Sequence, residues 1–203
     1  MISGLLLIAA ALCLTGYNIR EGNRAAKASV KVLEKLAAAS ETTAEESTEA
    51  AKGEAQYQET TPPLYVVEPE MEMPTVNVDG AEYSAVLSIP SLGLELPVNA
   101  EWSYEALKNS PCRYAGSAYT HDLVIAAHNY PGHFATLKSL SPGDEVMLTD
   151  MDGNLFRYTV AAKETLPPGA VEEMIGGKWA LSLFTCTVGG QFRVVVRCDL
   201  AEQ

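Results

Sequence analysis

The hydropathy of the chain changes character three times. Residues 2–17 read ISGLLLIAAALCLTGY without a charge, and polar sequence begins at Asn18 and Arg20. Crossing a ~30 Å hydrocarbon layer takes about 20 apolar residues, so this run sits at the short end of what a membrane helix needs. It is expected to be an uncleaved anchor over residues 1–19. The rivals are a cleaved signal peptide, which would carry a basic head ahead of the apolar stretch, and a buried core helix. From Arg20 to Ala37, alanines and lysines surround Val30, Leu33 and Leu36 at helical spacing, which predicts a short helix. From Ala38 to Thr75 the apolar periodicity is lost, and residues 41–72 carry nine Glu against one Lys. Such a segment buries too little apolar area to offset its chain entropy, so residues 20–75 are expected to form a helical and then disordered acidic linker. Residues 76–203 change again, to short β-rich runs separated by turn signals, the spacing of a sandwich or barrel. Strands are predicted at Ser84 to Ile89, Leu94 to Val98, Cys112 to Gly116, Leu123 to His128, Glu145 to Asp150, Leu155 to Ala162, Trp179 to Cys186 and Phe192 to Leu200. Turn chemistry at Ser141-Pro-Gly-Asp144 and Asp152-Gly153-Asn154 separates some of them. Short helices are predicted at Tyr104 to Asn109 and Phe134 to Leu140. The fold class is therefore all-β for residues 76–203.

Composition narrows the function classes. With 203 residues and 47% apolar content, the chain has enough material for a packed core. The net charge of −12 divides into −5 over residues 1–75 and −7 over residues 76–203. Neither part presents the basic face that nucleic acid requires. Arg20, Arg24, Lys27, Lys31 and Lys35 follow the apolar run, and the positive-inside rule taken alone would keep that side cytoplasmic.

The candidate chemistry lies at strand ends. The apolar run Leu181-Ser-Leu-Phe-Thr-Cys186 delivers a thiol at the mouth of the small-polar loop Thr187-Val-Gly-Gly-Gln191. Leu123 to Ala127 is wholly apolar and delivers His128 before the loop Asn129-Tyr-Pro-Gly132. A histidine placed there is free for proton transfer, whereas one in mid-strand is usually packed. Arg193 heads Val194-Val-Val196, and alternation puts Arg197 on the same strand face. Arg193 is preferred as the functional cation because it stands nearer the Cys186 loop; Arg197 is expected to be a surface or salt-bridge residue. His121 reads as part of a solvated turn and His133 as a helix start. Cys112 and Cys198 are candidates for a disulfide or for two buried free thiols. No paired-cysteine or His-Glu-x-x-His spacing suggests a metal site, and no cofactor is expected.

These residues resemble the sortase family, cell-surface cysteine transpeptidases of Gram-positive bacteria. The family signature Thr-Leu-x-Thr-Cys is matched by Ser182-Leu-Phe-Thr-Cys186, with Ser at the first position. Arg193-Val-Val-Val196 matches the family's arginine at the start of its last strand. Ala127-His128-Asn129 matches the family histidine, with Ala where Gly is common. Ile89-Pro-Ser-Leu-Gly-Leu-Glu-Leu-Pro-Val98 meets the family's opening pattern. The resemblance covers nearly all of residues 85–200. It implies a closed eight-stranded β-barrel with one or two short helices, behind an N-terminal membrane helix and a linker. It further implies Cys186 as nucleophile, His128 as proton donor and acceptor, and Arg193 as oxyanion or substrate cation. The partners it implies are surface proteins carrying a C-terminal Leu-Pro-x-Thr-Gly-like sorting signal and an amine acceptor on a peptidoglycan precursor or a pilin. The implied location is the cell membrane, crossed once, with the catalytic domain outside. An L,D-transpeptidase would need a Ser-His-Gly-Cys run, and a papain-like peptidase would place its cysteine before its histidine. The remaining alternative is a membrane-tethered, non-catalytic β-barrel that binds a surface protein or glycan.

Overall fold

The computed structural model describes the backbone of residues 2–50 and 62–201, with side chains from residue 8 to 39 and from 62 onward. Nine strands form the sheet: β1 Val76–Val78, β2 Ala81–Ile89, β3 Leu94–Asn99, β4 Cys112–Ala115, β5 Leu123–Ala126, β6 Glu145–Asp150, β7 Leu155–Leu166, β8 Leu181–Cys186 and β9 Arg193–Leu200. Their order is β1-β2-β3-β4-β5-β8-β9-β7-β6, and β6 pairs back onto β2. That last pairing, Ala85 to Ser88 against Asp150 to Met147, closes β2 to β9 into the expected eight-stranded barrel. Closure removes the edges at which a sheet would recruit another chain. β1 is a ninth strand outside the ring, paired with the first residues of β2. Asp79 and Gly80 between them both hold positive φ, 53° and 85°, the two-residue turn whose twist matches a hairpin.

Alternation along the strands produces two cores. The barrel interior is filled by Leu87, Ile89, Leu123, Ile125, Leu148, Leu181, Leu183, Val196 and their neighbours. The intervening residues Val124, Ala126, Phe184 and Val195 point outward and form a second cluster with Cys112, Leu107 and Met174. Two short helices cover that outer face. In α3 (Tyr104–Leu107) the Ser103 hydroxyl accepts a hydrogen bond from the Ala106 amide at 3.0 Å, and Leu107 is buried. Helix α4 (Val171–Ile175) inserts Met174.

The predicted helix at Phe134 to Leu140 is instead a series of turns with one 3-10 turn at Leu137–Ser139. Cys112 and Cys198 are free, so the disulfide alternative is corrected. β4 and β9 are separated by β5 and β8, about 14 Å at the usual strand spacing, while bridged cysteines need Cα atoms within about 7 Å. The two residues also belong to different cores.

The N-terminal segment departs from expectation in its length and its facing. Helix α1 runs from Ile2 to Ala50, past the end expected at Ala37, because Ala and Glu are strong helix formers and no Gly or Pro follows until Gly53. Its barrel-facing stripe is Gly22, Ala25, Ser29 and Leu36, while Val30 is exposed. Lys31 and Lys35 pair with Asp79 of the β1–β2 turn. Among the described residues no helix is long and apolar enough to cross a membrane. Residues 51–61, the middle of the expected acidic linker, lie outside the described residues.

Beyond them, α2 (Leu64–Val67) places Tyr65 on Tyr119 with ring centroids 4.7 Å apart and on Phe156 at 5.2 Å. Tyr119 precedes the start of β5 and Phe156 lies near the start of β7. This apolar segment therefore closes the barrel end opposite the end of β8, and it is no lid over Cys186.

Candidate active site

Strands β5 and β8 are parallel neighbours, with Ala126 opposite Phe184. The Ala127 amide donates to the Phe184 carbonyl at 3.1 Å, one residue beyond the strand. His128 and Cys186 are the next step of this ladder, on strands about 4.8 Å apart. On the other side of β8, Cys186 is the direct partner of Arg193 in the antiparallel ladder. The three residues thus stand in one row across β5, β8 and β9. They also share a face: the outward series of Val124 and Ala126 continues to His128, that of Phe184 to Cys186, and that of Val195 to Arg193. All three are partly exposed.

 

The local geometry has residue-level causes. The Thr185 hydroxyl, buried beside the cysteine, donates its one hydrogen to the Ala127 carbonyl at 2.8 Å, so it ties β8 to β5. The β8–β9 turn is held by Thr187, whose amide donates to the Phe192 carbonyl at 2.9 Å, while Gly189 and Gly190 take φ of 84° and 73°. The Arg193 guanidinium donates to the carbonyls of Gly190 and Phe192, at 3.1 and 3.2 Å. A guanidinium has five N–H donors, so others remain for an anionic or carbonyl ligand. Burial, and then the Lys108 ammonium, lower the His128 imidazole below its ordinary value, which favours the neutral ring at pH 7.

Arg197 has a different place. It is 2% exposed and bonds Glu164 at 2.5 Å, the Ser182 hydroxyl and the Met174 carbonyl at 2.8 Å each, and the Glu173 carbonyl. The expected salt bridge is present, but the residue is buried and pins α4 to β7 and β8. His121 is exposed in a turn with φ of 57°, at the start of β5 and away from Cys186. His133 is fully buried and begins no helix. Among the described residues no group of three or more His, Cys, Asp or Glu is arranged to hold a metal ion.

On the outer face beside Cys186, Ala126, Phe184 and Val195 are packed under Leu107 and Met174. Tyr114 packs edge-on against Phe184 and Trp102, with centroids at 5.2 and 5.7 Å. A cavity of about 510 Å³ adjoins Trp102, Arg113 and Tyr114. Another of about 790 Å³ lies between α1 and the β2–β6 side of the barrel, remote from the row of candidates. The sequence reading did not single out Tyr114, Trp102 or α4, because their part depends on which sheet face each residue occupies.

The fold is thus a closed β-barrel with a thiol, an imidazole and a guanidinium in one outward row. The description "Sortase domain" matches residues 87–201, more than half of the chain, and the chain belongs to the sortase family, whose members are generally cysteine transpeptidases. No curated protein matches it in sequence. Among solved structures it is similar to sortase C1 from Streptococcus agalactiae, at 20% identity and a TM-score of 0.54, covering 72% of this chain and 80% of that one. It is also similar to the sortase D5 transpeptidase of Clostridium perfringens, at 18% identity and a TM-score of 0.53, covering 71% and 91%. The pilus-related sortase C of Group B Streptococcus aligns at 24% identity and a TM-score of 0.52, covering 62% and 70%. At these identities the structural likeness speaks for the fold.

Proposed function

We propose that the protein is a transpeptidase that cleaves a Leu-Pro-x-Thr-Gly-like sorting signal through a thioacyl enzyme on Cys186. The observation that carries this reading is the row formed by His128, Cys186 and Arg193. Neutral His128 accepts the thiol proton as the sulfur attacks the threonine carbonyl. The resulting imidazolium gives that proton to the leaving glycine amine as the C–N bond breaks. An acceptor amine then attacks the thioester, gives its proton to His128, and releases the sulfur, which recovers a proton. Arg193 holds the oxyanion of both tetrahedral intermediates, being a permanent cation with fixed donors.

The substrate is an extended peptide that reaches Cys186 along the outer face of the barrel, on the side that carries Phe184. The acceptor is an amine of a peptidoglycan precursor or a pilin lysine; the pilus-related relative supports the second as a class. Ile8, Leu12, Leu14 and Tyr17 of α1 are each more than 60% exposed, an apolar surface that supports a membrane anchor; the barrel is placed outside the cell on the family resemblance, against the positive-inside rule. The test is incubation of the full chain with a panel of Leu-Pro-x-Thr-Gly-like peptides and triglycine. A product in which triglycine replaces the glycine end of the peptide is expected. Absence of that product with every peptide, in a folded protein, contradicts the reading.

A further inference from the structure

The family match begins at residue 87, yet α1 reaches the loop that carries His128. Three contacts join them. A Cβ placed on Gly132 would fall 2.5 Å from the Ala26 Cβ, and one placed on Gly22 would fall 3.0 Å from the Pro131 Cδ. Helix and loop therefore approach as closely as glycine allows. About one turn beyond Ala26 on α1, the Ser29 hydroxyl, 2% exposed, lies 3.4 Å from His133 Nε2. It also donates to the Asn109 carbonyl at 3.2 Å.

A serine has one hydrogen, and here it goes to Asn109. Ser29 Oγ is then the acceptor for His133 Nε2–H, which fixes the tautomer of the buried ring. Burial, with the nearby His128 as a second cause, pushes the His133 imidazole down to about 4, so the ring is neutral and carries this single hydrogen. His133 Nδ1 has no partner among the described residues. The Ser29 hydroxyl bridges the buried ring to the Asn109 carbonyl, which itself also hydrogen-bonds the ring, and losing the hydroxyl would leave Asn109 as the ring's one remaining polar partner.

His133 is joined to His128 through the loop itself. The Phe134 amide, next in sequence to His133, donates to the His128 carbonyl at 3.2 Å, and the His133 and Ala135 amides both donate to the Tyr130 carbonyl. Tyr130 lies between the two histidine rings, with centroids 4.8 Å from His128 and 5.9 Å from His133. From this geometry we infer that α1 is a working part of the catalytic centre, and that Ser29, acting through His133, is a positioning residue for His128. The inference rests on the role given to His128 above. It places the segment next to the apolar N-terminus in control of how His128 is presented to Cys186.

The test compares the full chain, Ser29→Ala and Ser29→Ala/His133→Phe in steady-state transfer of a Leu-Pro-x-Thr-Gly peptide to triglycine. Amide hydrogen exchange at Phe134 and Ala135 is measured in parallel. Ser29→Ala should lower kcat about ten- to a hundredfold, the cost of misplacing a catalytic group, with KM nearly unchanged and faster exchange at both amides. The double variant replaces the serine and the histidine by apolar groups and leaves only the Asn109 carbonyl without its donor, so it should recover most of kcat and the exchange protection. Wild-type kcat and exchange in Ser29→Ala would overturn the inference, as would a double variant no better than the single one. A wild-type chain that transfers none of the peptides counts against the proposed function, whereas unchanged exchange in Ser29→Ala counts against the brace, so the two failures are separate.

Discussion

Arg193 and Arg197 share a strand face and differ in burial, and burial assigns their work. Arg193→Ala should leave the thermal midpoint near that of the wild type and lower kcat about 100- to 1000-fold, the loss seen when one oxyanion donor is removed. Arg197→Ala breaks an ion pair with the exposed Glu164 carboxylate and three further hydrogen bonds of a buried guanidinium, and at about 1 kcal/mol for each hydrogen bond should cost on the order of 3 kcal/mol of stability, read by denaturant unfolding. Equal activity loss from both changes at full folding would contradict the assignment. Lys108 supplies a second residue-scale prediction. It contributes to the lowered His128 value, and activity that needs the neutral ring rises as pH climbs through that value. The acidic limb of kcat/KM should therefore lie below the ordinary histidine value of about 6.5, and Lys108→Met should move it to higher pH. A limb that does not move in that variant would remove Lys108 from the account. At this scale the sequence was informative for Cys186, His128 and Arg193, because each terminates or begins an apolar run. It was silent on His133, whose burial depends on a helix more than 90 residues away, and on Thr185, whose hydroxyl is taken by a carbonyl from another strand.

Elements were legible where local chemistry decides them. All eight predicted strands are present because alternation and turn residues are local signals, and the short helix predicted from Tyr104 to Asn109 is present as α3, Tyr104–Leu107. The β1–β2 hairpin was legible too, since Asp79-Gly80 flanked by Val76, Val78 and Tyr83 is a strong two-residue turn signal, but it was not among the predicted strands. Gly80→Ala tests that turn: with φ of 85° and nothing within 4 Å of an added Cβ, the cost is backbone strain alone, about 1 kcal/mol. The thermal midpoint should fall slightly while transfer activity is kept; an unchanged midpoint would show that the turn is not strained by a side chain. Helix α4 was illegible because five residues make almost no periodic pattern, and what holds it is Arg197 and the Met174 contact with the outer core.

For the whole molecule, barrel closure rests on a β2–β6 pairing between strands more than 55 residues apart, which no local pattern encodes; only the family resemblance anticipated it. The docking of α1 was hidden for the same reason, since Gly22, Ala25 and Ser29 carry no hydropathy signal and matter through the closeness they permit. Deleting residues 1–40 should uncover Val78 and Tyr83, which pack on Leu36, and lower the thermal midpoint of the barrel. An unchanged midpoint would show that α1 adds nothing to its stability. The central claim is that Cys186 carries an acyl group between two amines. The most direct measurement is intact-protein mass spectrometry of the full chain with a Leu-Pro-x-Thr-Gly-like peptide, followed by hydroxylamine. The account predicts an adduct of the acyl mass that maps to Cys186, is absent in Cys186→Ala, and is discharged by hydroxylamine. A folded protein that forms no adduct, or forms one at another residue, would contradict it.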